Sequence, residues 1–185
     1  MKPTVALLLL WLLLNLTGCG GGGTQEGSAP PAPAGTQETG VPGIDEIRQA
    51  FLDAVNAARS EDRLCGNVSF HAAPPVFWDT RLAMASYLHS YDMAANGYFS
   101  HAGSDNSSAG ERIAREGYSW STYGENIAVG FPTVSAVLQA WLTSEGHCRN
   151  IMNPAFRDIG AGLAEGPYLG APRASYWTFD LATPR

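Results

Sequence analysis

Apolar residues along the chain fall into blocks of different period, and the periods predict the elements. Ile44, Ile47, Phe51, Ala54, Val55 and Ala58 recur at helical spacing and predict a first amphipathic helix. A loop containing Cys65 and Pro74-Pro75 follows. Asp79 stands as the N-cap of a second helix running to about Asn96, with Gly97 where a left-handed C-cap residue belongs. Ser108-Ala109-Gly110-Glu111 is a capping-box pattern that opens a short third helix, ended by Gly117. Val134, Val137, Leu138, Trp141 and Leu142 form the inward stripe of a further helix from about Thr133 to Ser144. Strand signals are sparser. Tyr123 to Val129 and Asp158 to Leu163 are short candidates, and Ser175 to Leu181 alternates aromatic and small residues. Helices early and strands late predict an α+β domain in which helices cover an antiparallel sheet.

The first 43 residues follow neither period. Lys2 precedes an apolar run from Val5 to Leu16, broken only by Asn15. A spanning helix needs about 20 apolar residues, so this run is short for a span and suits a signal-peptide core. It ends in Leu16-Thr17-Gly18-Cys19, which resembles the Leu-x-Gly-Cys pattern of bacterial lipoprotein signals. That resemblance implies that residues 1–18 are a removed leader and that Cys19 becomes an acylated N-terminus. The protein would then be anchored to a membrane without spanning it. An ordinary secretory signal that contains a cysteine is the alternative. Gly20 to Gly23 and the Pro/Ala run from Ser28 to Gly35 carry no large apolar residue. Residues 19–43 therefore read as the acylated cysteine and a flexible Gly/Pro/Ala linker, and residues 44–185 as one folded domain.

Charge narrows the partners. The chain carries 11 basic and 17 acidic residues, a formal net charge of −6 at pH 7. Lys2 is the only lysine, so losing the leader makes the remainder one unit more acidic. Such a surface repels nucleic acid and anionic headgroups, so neither is an expected partner through electrostatics. With Cys19 acylated, Cys65 and Cys148 remain as a pair in an exported protein, where disulfides persist. Two free buried thiols are the alternative. Two cysteines without a Cys-x-x-Cys do not build a four-ligand zinc site.

Four segments lie in order: Gly97-Tyr98-Phe99-Ser100-His101, Gly124-Glu125-Asn126-Ile127-Ala128, Trp141-Leu142-Thr143-Ser144-Glu145-Gly146-His147 and Tyr176-Trp177-Thr178. Together they resemble the CAP superfamily of cysteine-rich secretory proteins, antigen 5 and pathogenesis-related proteins, and most of all its bacterial branch. The resemblance spans nearly all of residues 44–185. It implies a three-layer α-β-α sandwich with a central antiparallel sheet, and a cavity carrying two histidines and two acids. On this chain the histidines are His101 and His147, and the first acid is Glu125. Ser144 stands at the position of the second acid, so the tetrad is incomplete.

Two neutral imidazoles and a carboxylate suit Zn²⁺ or another divalent cation, bound weakly with a position open to water. Alternatively Glu125 holds an imidazole by a hydrogen bond, and the three residues form a satisfied polar network. His89, in the second helix, reads as a surface or boundary residue, and the tryptophans as core volume. No Gly-x-Ser-x-Gly elbow is present, which argues against a serine hydrolase. The expected function is a membrane-tethered extracytoplasmic binding module for a small apolar, lipid-like or cell-envelope ligand. A metal-dependent hydrolase using His101, His147 and Glu125 is one alternative, and a structural protein of the cell envelope is another. The missing second acid leans the reading away from an enzyme.

Overall fold

The computed structural model describes residues 40–185. The expected leader, the acylated Cys19 and nearly all of the linker lie outside the described residues. Helix α1 (Pro42–Arg59) starts at a proline, whose missing N–H is not needed in a first turn. A hairpin of β1 (Arg63–Cys65) and β2 (Val68–Phe70) follows, then the two-residue β3 (Phe77–Trp78). Helix α2 (Thr80–Asn96) is capped by the Asp79 carboxylate, which accepts from the Arg81 and Leu82 N–H groups, and stops at Gly97 with φ 66°. Helix α3 (Ala109–Arg115) has the expected Ser108/Glu111 capping box. Strand β4 (Trp120–Val129), helices α4 (Val134–Thr143) and α5 (Glu145–Met152), and strands β5 (Asp158–Tyr168) and β6 (Ala171–Pro184) complete the chain.

The main sheet has the order β3-β5-β6-β4. Strand β6 shows how it is sandwiched. Its alternate residues Trp177, Phe179 and Leu181 pack with Phe51 and Val55 of α1, Trp141 of α4 and Ile151 of α5. Phe179 is the centre of that layer, with the rings of Phe51 at 5.4 Å and Trp141 at 5.6 Å. The intervening residues point the other way: Ala182 packs with Leu82 of α2 and Ile113 of α3, and Tyr176 with Met93 of α2. The period of two in β6 thus feeds two separate apolar layers. Each large side chain so removed from water contributes roughly 1.5–3 kcal/mol. The result is the expected three-layer α-β-α sandwich.

On the α2 side, β5 presents Gly160, Gly162 and Gly166. A Cβ on Gly160 would lie 2.1 Å from the Ala83 nitrogen, and one on Gly162 2.2 Å from the Tyr87 Cα. Helix α2 therefore rests directly on the strand, and Ser86 and Ser90 donate to the Gly160 and Gly162 carbonyls at 3.1 Å each.

The structure departs from the sequence expectation in four places. The segment after Ser144, for which the sequence pattern predicts no element, is helix α5, and Cys148 sits fully buried within it. Only Cys148, Ile151 and Met152 give α5 an apolar face, so its stability comes from packing and not from an intrinsic pattern. The loop around Cys65 contains the β1–β2 hairpin. The sheet is not wholly antiparallel, because β3 pairs parallel with β5; two residues carry no readable period. His89 is not a boundary residue but is fully buried. Cys65 and Cys148 form the expected disulfide, with Cα atoms 5.5 Å apart, joining the hairpin to α5. Arg59, also fully buried, donates to the carbonyls of Pro74, Ile151, Asn153 and Phe156. It satisfies backbone carbonyls at and just beyond the end of α5, where intrahelical N–H donors run out.

Candidate functional site: a buried carboxylate beneath an exposed histidine

Strand β4 is the sheet edge, and its unpaired backbone must be covered. The Trp141 indole donates to the Ile127 carbonyl at 3.1 Å and the Asn150 amide to the Glu125 carbonyl at 3.2 Å. Asn126 donates to the His147 carbonyl at 3.2 Å and accepts from Asn150 at 2.8 Å. The Gly-Glu-Asn and Trp…His…Asn segments therefore fasten α4 and α5 to the edge strand. That lock sets the position of Glu125.

The Glu125 side chain is only 4% exposed. One carboxylate oxygen meets Nδ1 of His101 at 2.7 Å; the other accepts from the Arg112 guanidinium at 2.6 Å. Arg112, itself 10% exposed, also donates to the Ser107 carbonyl at 2.8 Å. This arginine belongs to the site, and nothing in its spacing within α3 announced it. His101 lies above with 59% of its side chain exposed. The loop that carries it is held from α2: the Asp92 carboxylate accepts from Tyr98 Oη and from the N–H and hydroxyl of Ser104. The buried His89 ring contacts the Ser100 carbonyl through Nε2 at 2.9 Å, next to His101. Burial pushes the His89 pKa below the usual histidine range, which favours the neutral ring that donates there.

These groups open onto a cleft of about 410 Å³ lined by His101, Ala102, residues 106–109, Tyr123 and Glu125. Asp180 is the cross-strand partner of Glu125 and only 2% exposed, with the Ser86 hydroxyl on Oδ2 at 2.8 Å. Burial, reinforced by the neighbouring Glu125 charge, raises the Asp180 pKa well above the carboxylate range. One negative charge therefore suffices behind the cleft.

His147 does not line this cleft. Its Nδ1 meets the Ser144 hydroxyl at 2.9 Å. Burial, and then the charge of His101, lowers its pKa. The structure thus forms two pairs, His101–Glu125 and Ser144–His147, with no hydrogen bond between them among the described residues. No group of three or more His, Cys, Asp or Glu side chains is arranged to hold a metal ion among the described residues. Both Glu125 oxygens are engaged, one by a cation, so a three-ligand zinc site does not fit this donor set. What remains are two imidazoles, each with Nδ1 fixed by a partner, which is the manner in which metal-binding histidines are oriented.

The sequence profile of CAP, the cysteine-rich secretory protein family, matches residues 52–181. The chain belongs to this family. The Bacillus subtilis protein YkwD is 30% identical over 158 residues, covering 83% of this chain and 55% of that protein. An extracellular SCP-domain protein from Bacillus anthracis, known from a crystal structure, is 32% identical with a TM-score of 0.57, over 75% of this chain and 41% of that one. An outer surface protein from Borrelia burgdorferi shares the fold at a TM-score of 0.58 and 15% identity, covering 76% of this chain and 94% of that chain. This CAP chain is of the bacterial kind. It spans about half the length of these Bacillus relatives. No helix among its described residues is long and apolar enough to cross a membrane.

Proposed function

We propose that this CAP chain is an exported, membrane-tethered binding module that takes a polar, hydroxyl-bearing cell-envelope ligand in the cleft beneath His101. The observation that carries the reading is the Glu125 carboxylate, buried, held by Arg112 and His101, and facing an open cleft. A buried charged pair at the floor is costly to cover with a hydrocarbon chain, whereas hydroxyl groups can join its hydrogen bonds. Ser107 and Ser108 add polar groups, and the Tyr123 ring supplies an apolar wall, the usual mixture in a specific small-molecule site. Of the ligand classes expected from the sequence, this favours the cell-envelope class over a lipid-like one. Export is supported by the extracellular Bacillus anthracis relative, and the tether by the Leu16-Thr17-Gly18-Cys19 pattern. The hydrolase reading is disfavoured, because a carboxylate neutralised by Arg112 is a poor general base and a poor metal ligand.

Titration of a soluble muropeptide mixture and, separately, of a long-chain fatty acid, which gains roughly 0.8 kcal/mol per buried CH₂, tests it by backbone NMR shifts. Shifts at His101, Ser108 and Tyr123 with muropeptide, lost in Glu125→Gln, are expected. Shifts with the fatty acid alone would overturn the polar reading, and shifts with neither would leave the cleft as part of a structural protein.

A further inference from the structure

The outer face of α2 carries an apolar stripe that no described element covers. Met84, Leu88, Tyr91 and Ala95 recur at helical spacing on the side away from the sheet, while Leu82, Ala85, His89 and Met93 face inward. Leu88 is 44% and Tyr91 57% exposed. No charged residue lies between Arg81 and Asp92, although the protein as a whole is acidic. Beyond the helix, Phe99 at 40% exposure packs edge-on against Tyr168, and Leu169 at 90% exposure tips the β5–β6 hairpin. That hairpin adjoins the end of α2, since a Cβ on Gly166 would touch Ala94. Singly exposed apolar residues need no explanation, but a contiguous, uncharged row of them marks a contact surface.

We infer that this face of α2 and the adjoining hairpin tip rest on the lipid bilayer to which the chain is tethered, an inference that rests on the tethered reading above. The course of the chain favours the bilayer as occupant. Gly43 in the first turn of α1 packs so that a Cβ there would lie 3.1 Å from the Tyr87 ring, and that ring stacks on Tyr91 at 6.4 Å between centroids. The linker from Cys19 therefore joins the domain at the border of the stripe. A Gly/Pro/Ala-rich chain of the length between Cys19 and Gly43 would reach roughly 25 Å if its composition sets its behaviour, about the width of a small domain, so an anchored Cys19 would hold the face at high effective concentration beside the surface. Tyrosine and leucine without neighbouring charge suit the interfacial zone, where an amphipathic ring keeps its hydroxyl in water. The nearest carboxylate, Asp92, is engaged by Tyr98 and by the N–H and hydroxyl of Ser104, so it is turned to that loop and away from the headgroups.

The test places a reporter on each face of the full mature chain in phosphatidylcholine vesicles with brominated acyl chains. Tyr91→Trp reports the stripe. Leu64→Trp, 67% exposed in the β1–β2 hairpin joined to α5, reports the opposite layer. Coupling Cys19 to a maleimide phospholipid supplies the anchor chemically, so the face is tested whether or not the cell acylates this residue. An interfacial apolar face sits roughly 5–10 Å into the headgroup boundary, so bromine should quench the added emission of Y91W and spare that of L64W. Adding Leu88→Glu should abolish the difference while the thermal unfolding of the chain is unchanged. Equal quenching at both positions, or none at Tyr91→Trp, overturns the inference. A dimer in solution that Leu88→Glu dissolves would assign the stripe to a second copy and overturn it as well.

Discussion

Replacing Glu125 by glutamine separates the electrostatic from the steric role of the buried carboxylate. The side chains of Glu125 and Arg112 are 4% and 10% exposed, and their contact is 2.6 Å. Removing one member of a buried pair typically costs about 3–5 kcal/mol, because the other charge is left uncompensated. The glutamine oxygen can still accept from Arg112, and a hydrogen bond to a charged group returns roughly 1.5–3 kcal/mol. The site also borders an open cleft, where water can approach the guanidinium. The expected net loss is about 2 kcal/mol, read as a lower urea midpoint at unchanged slope. For a domain near this size that corresponds to roughly 4–8 °C in Tm. Arg112→Met should cost at least as much, since it also frees the Ser107 carbonyl. The double variant should then cost less than the sum, with a coupling above about 1 kcal/mol. A Glu125→Gln loss below about 0.5 kcal/mol, with additive singles, would show the pair to behave as an ordinary surface ion pair and refute the reasoning.

Four further outcomes are expected. Replacing Cys65 and Cys148 by alanine opens a loop of sequence separation 83, and the chain-entropy relation gives about 4.5 kcal/mol of lost stability; unchanged Tm in the double variant would contradict it. His89 and His147 are both held below the ordinary histidine range by burial. The unfolded chain then binds more protons below its pKa of about 6.5, so stability is full above that pH and falls as pH drops through the window beneath it. His89→Gln should flatten that acid limb in pH-dependent urea unfolding, and an unaltered limb would exclude His89 as a source. Zinc, measured by calorimetry, should bind no tighter than millimolar, since Glu125 is engaged by Arg112 and no three ligands converge among the described residues; micromolar binding lost in His101→Ala would contradict that reading. Mass spectrometry of the membrane fraction should find Cys19 as an acylated N-terminus, and cleavage elsewhere would refute the tether.

The sequence by itself determined most of the layer content. Periods of 3.6 and 2 placed α1, α4 and β6, and cap chemistry at Asp79, Gly97 and Ser108 placed α2 and α3 to within a residue or two, because these are local properties of the backbone. Ordered motifs also made the family and the His101 and Glu125 positions legible, and the cysteine count the disulfide. Helix α5, the parallel β3 and the burial of His89 and Arg59 were not legible, since each depends on partners far away in the chain. Arg59 reaches carbonyls more than ninety positions on, at Ile151, Asn153 and Phe156. The site shows the same division. The family resemblance put His101, Glu125 and His147 in one cavity; in the structure Glu125 pairs with His101 and Arg112, while His147 sits on α5 with Ser144 as its partner, near enough to His101 to feel its charge. Only the tertiary structure paired Glu125 with Arg112, because the sign of a buried charge's neighbour is a matter of packing and leaves no period in the sequence.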